Sequence, residues 1–342
     1  MRTGRMKKIV TFSASTIIMV ALLVVAFRGT DFRRVLVLMR EANYWWIALN
    51  VAILLASHAL RALRWRYLLH PIKPNIGMRS LFSAVMVGYM MNNLLPRAGE
   101  LARPYAVGKM EGFSKTAAFG TIVVERLIDT ASFLVLVAVV PLVYDGPLNA
   151  SFPWLRDTGA VATAVTVLLF FGMALLMFRR DWTDRLLALL LRLLPQRLAR
   201  RSRDRVHSFL DGLLFIKTPR NFLAIVVLSI LIWFLYVVMT FVAFFAFGIE
   251  QQLGFGGALV VLAIQSIGIA IPTPGGTGGY HAFTAQTLIR LFAVDSAVAV
   301  SYATVTHAAS FVVVTLIGLS FVLRDHLRVS DAVRIREETK SA

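Results

Sequence analysis

Read as apolar and polar positions, the chain is a series of long hydrophobic runs parted by short basic segments. Ile9–Phe27, Trp45–Leu60, Ala117–Val143, Val161–Phe178, Phe222–Phe247 and Ala297–Leu323 are candidates for complete crossings. A crossing covers roughly 30 Å of hydrocarbon at about 1.5 Å per helical residue. Two further runs break part-way: Leu81–Leu95 stops at PRAGE, and Ala258–Ile271 stops at PTPGGTGG. The pattern predicts an all-α polytopic membrane protein with about six full transmembrane helices and two re-entrant helical hairpins. Ile9–Phe27 reads as a retained span, because it is long and AFRGT offers no small-x-small cleavage site.

Composition agrees with this picture. Apolar residues make up 58% of the 342 positions and the mean hydropathy is +0.73, well above the roughly 45–50% apolar content of soluble domains. The absence of cysteine excludes disulfides, thiolate catalysis and thiolate metal sites. A net charge of +18 would point to nucleic acid in a soluble chain. Here the basic residues lie between spans, where Lys and Arg mark the cytoplasmic side and contact lipid headgroups, so no nucleic acid is expected.

Charge then orders the spans. Arg2, Arg5, Lys7 and Lys8 place the N-terminus in the cytoplasm, and the last span returns RDHLR to the same side. Arg28, Arg33, Arg34 and Arg40 sit where the rule expects few cations; Phe32, Val35, Leu36, Leu38 and Met39 there fit a short interfacial helix closed by Tyr44, Trp45 and Trp46. Leu81–Val107 enters from the cytoplasm, turns at Pro96–Gly99 and leaves on the same side; Ala258–Phe292 does the same from outside. Between the halves, Arg179–Arg220 reads as a basic amphipathic linker on the inner leaflet. The expected organisation is one membrane domain over 1–330, with a cytoplasmic tail at 331–342, in a plasma membrane.

The order crossing, broken hairpin, crossing therefore appears twice, over about 45–143 and about 222–323. Trp45 and Phe222, Pro96 and Pro272, and Ala117 and Ala297 are paired at a nearly constant offset. Because the copies enter from opposite sides, this is the inverted-repeat plan of secondary transporters, whose interrupted segments mark a site near the midplane.

Irregular backbone at membrane depth needs burial in protein or a wet cavity. At the first tip, Asn92, Asn93, Arg97, Glu100 and Arg103 surround Pro96 and Gly99. Arg97, Glu100 and Arg103 recur every third residue, which on a helix gives one broad face whose excess positive charge suits a phosphate. The competing reading is that Glu100 merely neutralises both arginines. VERLID sets Glu125 and Asp129 four apart beside Arg126, deep in a span, where they face Arg61, Arg64, Arg97 or Arg103 either as a functional site or as a structural ion-pair network. At the second tip, Pro274, Gly275, Gly276, Gly278 and Gly279 precede a helix whose first turn holds His281. Exposed amides at such an N-terminus bind anions without a cation. The histidines lack metal-type spacing, and neither a Walker pattern nor Gly-x-Ser-x-Gly occurs, so no metal, cofactor or catalytic residue is expected.

RALRW (Arg61–Trp65), NNLLPRAGELARPY (Asn92–Tyr105), VERLID (Val124–Asp129) and PTPGGTGG (Pro272–Gly279) resemble, in order, motifs of the lysylphosphatidylglycerol synthase transmembrane region, also called flippase-like membrane proteins. The resemblance covers about residues 5–325. It implies a bundle with two re-entrant hairpins that moves lipids or lipid-linked headgroups between leaflets. The synthases of that family carry a soluble transferase domain after this region, whereas this chain ends soon after its last span, so aminoacylation is not expected. Many members place a glutamate shortly after the second tip, where this chain reads GGYHAF. The expected function is lipid translocation, with an anionic phosphate headgroup as cargo. The alternatives are a membrane-embedded lipid-modifying enzyme or accessory subunit of envelope synthesis that uses Glu125 or Asp129 as base, and an interaction scaffold.

Overall fold

The structure is a computed structural model that describes residues 2–144 and 219–327, with isolated helical positions at 164, 167 and 168. The expected crossing Val161–Phe178, nearly all of the basic linker and the tail 331–342 lie outside the described residues. Among the described residues the regular structure is helical, without strands. In chain order the helices are α1 (Arg2–Phe27), α2 (Phe32–Glu41), α3 (Tyr44–Leu69), α4 (Met78–Leu94), α5 (Gly99–Glu111), α6 (Lys115–Val143), α7 (Pro219–Phe245), α8 (Glu250–Ala270), α9 (Gly279–Phe292) and α10 (Ser296–Arg324).

Short polar residues start the helices, as capping chemistry requires. Asp31 accepts from the amides of Arg33 (2.8 Å) and Arg34 (3.4 Å) at α2, and Asn43 accepts from Trp45 at α3 (3.1 Å). Ser114 caps α6, and Asp295 caps α10 through Ala297 and Val298. A short helix was expected at this point, and α2 is one, turned 87° from α1.

Helices α3, α7, α8 and α10 are long and apolar enough to cross a membrane, and the bent pair of α1 and α2 makes a fifth candidate. Six full crossings were expected. The 29-residue α6 is long enough, but Glu125, Arg126 and Asp129 interrupt its apolar surface.

Helices α3 and α7 run antiparallel along most of their length. Asn43 donates its amide to Ala246 O (3.0 Å), Asn50 Nδ2 donates to Met239 O (2.6 Å), and Arg64 reaches Ser229 (3.0 Å). One apolar core gathers Trp65, Leu68, Leu81, Ala106 and Ile122 around α3–α6; a second gathers Phe244, Val261, Leu288 and Tyr302 around α7–α10.

Helices α4 and α5 form one hairpin, α8 and α9 another. Each is drawn shut where two glycine backbones touch: a methyl group on Gly99 would overlap the Gly88 carbonyl, and one on Gly279 would overlap the Gly268 carbonyl. The two pairs share one sequence offset. The hairpins open toward opposite ends of the molecule. At one end Arg79 pairs with Asp325 (3.1 Å), Lys109 donates to His326 O (2.8 Å) and Lys73 meets Glu111 (3.3 Å). At the other, Gln252 donates to Phe292 O (2.6 Å), Tyr144 donates to Leu291 O (3.2 Å) and Arg34 pairs with Asp295 (3.3 Å). Both tips stop half-way along α10. Asn93 Nδ2 donates to Phe311 O (3.2 Å) and Thr315 Oγ1 (2.9 Å), while the carbonyl of Gly275 lies 3.0 Å from His307 Nε2.

Candidate functional site

The spacing of Glu125 and Asp129 puts both carboxylates on one face of α6, and that face meets three buried arginines. Arg61 spans them, with Nη1 on Glu125 Oε1 (2.9 Å), Nη2 on Asp129 Oδ2 (3.0 Å) and Nε on the Tyr236 hydroxyl (2.7 Å). Arg64 Nη2 lies 2.6 Å from Asp129 Oδ1 and 3.5 Å from Glu125 Oε1, and its Nη1 donates to Ser229 Oγ. Arg103 holds both oxygens of Glu125 at 3.0 Å in a two-toothed pair. Its guanidinium lies 4.4 Å over the Trp65 ring, whose Nε1 donates to Thr121 Oγ1 (2.8 Å). Glu125 is wholly buried.

The fourth cation differs. Arg126 stands 3.5 Å from Glu125 and 3.6 Å from Asp129, and 45% of its side chain is exposed. Four guanidinium groups around two carboxylates leave positive charge in excess, and Arg126 is where that charge reaches the surface. Beside this network His58 stacks on Tyr89, rings 4.2 Å apart.

The first tip is built otherwise than its sequence spacing implies. Arg97 precedes α5, is exposed and has a φ of 60°, so it shares no helical face with Glu100 and Arg103. A non-glycine residue in that region is uncommon. Glu100 opens α5 half-buried and makes no ion pair with Arg97 or Arg103 among the described residues. Arg103 turns inward to Glu125, passing over Gly88, where any side chain would collide with its stem. The competing reading, in which Glu100 neutralises both arginines, is therefore not met either. Asn92 caps the hairpin, its Oδ1 accepting from the Gly99 amide (2.7 Å).

At the second tip, Pro272–Gly279 holds a single turn of 3-10 helix over Pro274–Gly276, and Gly275, Gly276 and Gly278 take φ of 59°, 72° and 85°. Glycine is the residue that adopts such angles without strain. A side chain on Gly275 would meet Phe311 and Asn93 Oδ1, so the two tips abut there. Among the described residues no side chain caps α9, in contrast to α5, and none partners its first amides. His281 is buried in that first turn at 6% exposure, with Nδ1 unpartnered among the described residues and its ring 4.8 Å from that of His307. Tyr280 hydrogen-bonds Thr306 at 2.9 Å.

The structure thus gathers Arg61, Arg64, Arg103, Glu125, Arg126 and Asp129 into one network. It sets Asn93 against Gly275 of the second tip, where His281 faces His307, and leaves Arg97 and Glu100 outside the network. Sequence reasoning missed Gly88, Tyr236, Ser229 and His307. A glycine among apolar residues and a histidine on a long span carry no local signal of the partner that they meet.

The lysylphosphatidylglycerol synthase TM region matches residues 12–318. The chain belongs to this family. A UPF0104 membrane protein of Methanothermobacter thermautotrophicus is 28% identical over 70% of this chain and 74% of its own length. A second UPF0104 membrane protein of that organism is 25% identical over 92% and 93%. No solved structure matches. As a member of the lysylphosphatidylglycerol synthase TM region family with several long apolar helices, the chain is a multi-pass membrane protein.

Proposed function

We propose that the protein is a lipid translocase of the plasma membrane, moving a lipid with an anionic phosphate headgroup between leaflets. The observation that carries this reading is the meeting of two oppositely opening hairpins at the middle of α10, with Asn93 against Gly275. Paired interrupted segments of opposite sense are the plan of alternating-access carriers. Equal helix lengths in α6 and α10, 29 residues each, and the equivalent glycine pairs support an inverted repeat.

The end with Lys73, Arg79, Lys109, Lys115, Arg220 and Arg324 against Glu111 and Asp325 is the cytoplasmic one in this reading, since Lys and Arg accumulate there. The opposite end balances Arg28, Arg33, Arg34, Arg40 and Arg290 against Asp31, Glu41, Glu250 and Asp295. Arg126 offers the headgroup its first charge, and the uncapped amides of α9 receive it beyond the tips. Arg61, Arg64 and Arg103 hold the shape of the site rather than the cargo, because each is already committed to a carboxylate. The same commitment speaks against Glu125 or Asp129 as the base of a lipid-modifying enzyme, as a carboxylate bound by several guanidinium groups is a poor proton acceptor.

The test uses proteoliposomes carrying a fluorescent phosphatidylglycerol, with the outer label quenched by a membrane-impermeant reductant. Protein-dependent access of inner-leaflet label is expected. Access no faster than in protein-free vesicles, for phosphatidylglycerol and for lipid extracts of the host alike, would defeat the proposal.

A further inference from the structure

The second tip brings two imidazoles together among elements that carry no fixed charge of their own, the nearest on the abutting first tip being the exposed Arg97 and the half-buried Glu100. Positions 13–27 of α1, α8 beyond Glu250, α9 before Arg290 and α10 between Ser296 and Leu323 contain no Asp, Glu, Lys or Arg, and neither do the last turns of α4. The titratable groups that those elements supply are Tyr280 and His281 on α9, Tyr302 and His307 on α10, and Tyr89 on α4. Tyr280 and Tyr302 are engaged as hydrogen-bond partners of Thr306 and of the Thr240 carbonyl.

Tautomers follow from geometry. His307 Nε2 faces the Gly275 carbonyl at 3.0 Å, and a carbonyl only accepts, so Nε2 carries hydrogen and Nδ1 is the basic nitrogen. His281 Nδ1 is buried without a partner among the described residues. Each ring therefore keeps a site for a proton, while rings 4.8 Å apart disfavour charging both. A charged imidazole here also opposes the helix N-terminus, which carries roughly half a positive charge. An anion on the uncapped α9 amides removes that opposition.

We propose that the His281–His307 pair takes up one proton together with a phosphate group at the second tip, so that headgroup and proton occupy it as a neutralised pair. This rests on the translocase reading and names its coupling ion. The proton comes from water and adds to an imidazole lone pair; no other bond changes. By linkage, the phosphate raises proton affinity by the factor by which the proton raises phosphate affinity.

Protein in nanodiscs of zwitterionic lipid is titrated calorimetrically with dihexanoyl phosphatidylglycerol, and separately with inorganic phosphate, in buffers of different ionisation enthalpy. Uptake approaching one proton per lipid bound is expected, with affinity falling about tenfold per pH unit once the pair is uncharged. His281→Gln and His307→Gln should abolish the uptake and flatten the pH dependence. Glutamine at 307 can still donate to the Gly275 carbonyl, which preserves the tip. His70→Gln, on the exposed end of α3, should behave as the parent. Lipid binding without proton uptake overturns the proton site alone, and absence of lipid binding overturns the translocase reading beneath it. Uptake with inorganic phosphate but not with lipid would keep the proton site and remove the lipid as its source.

Discussion

Glu125→Gln and Arg126→Gln remove neighbouring charges from one network, and the structure gives them opposite consequences. Glu125 is the acidic partner of Arg103 at two contacts of 3.0 Å and also holds Arg61 at 2.9 Å, all buried. Neutralising it strands Arg103 on the Trp65 face with no acid, and breaking one side of a buried ion pair costs about 3–5 kcal/mol. A fall in the unfolding midpoint on the order of 10 °C follows. Arg126 makes only contacts of 3.5 and 3.6 Å and is 45% exposed, so its loss should cost at most about 1 kcal/mol. Its proposed bond to a phosphate is charge-assisted, worth roughly 1.5–3 kcal/mol, or roughly 10- to 150-fold in transport rate. Thermal unfolding in detergent and the vesicle assay on the same preparations separate the two quantities. A Glu125→Gln protein with the parent's midpoint, or an Arg126→Gln protein as unstable as Glu125→Gln, would refute this division of labour.

The hairpin closures and the orientation can be checked on their own. Gly99→Ala and Gly279→Ala should sharply lower the folded yield, because each added methyl meets a glycine carbonyl, whereas Gly77→Ala, with nothing closer than 3.6 Å, should express as the parent. In this cysteine-free chain, Thr116→Cys should react with an impermeant maleimide only from the cytoplasmic side and Gln251→Cys only from outside; the reverse pattern would invert the proposed topology.

The apolar runs named α3, α6, α7 and α10 from the sequence because a span is a local property of some twenty consecutive residues. Both tips were legible for the same reason, as clustered proline and glycine break an apolar run locally, whereas the isolated Pro104, Gly88 and Gly268 lie within helices. Partner choice was not. Arg103 reads as the companion of Arg97 and Glu100 by spacing, yet a positive φ at Arg97 rotates that residue away, and the gap left by Gly88 lets Arg103 reach α6. Glu125 and Asp129 announce that they need cations, but five arginines were available and only the packing of α3 and α5 against α6 selects among them. His307 was invisible for a related reason: its importance comes from a carbonyl on another helical hairpin.

The glycine contacts at 88/99 and 268/279 bear on how the protein moves. Two helices whose backbones touch cannot slide or roll on each other without steric overlap, so each hairpin behaves as one stiff lever. Compliance is then concentrated at the fulcrum, where the levers rest on α10 through Asn93 with Phe311 and Thr315, and through Gly275 with His307. Those are a few hydrogen bonds, each worth about 1 kcal/mol net, a resistance that thermal energy overcomes many times a second. A change of a single proton or a single headgroup at that fulcrum is comparable in size to the forces that hold it.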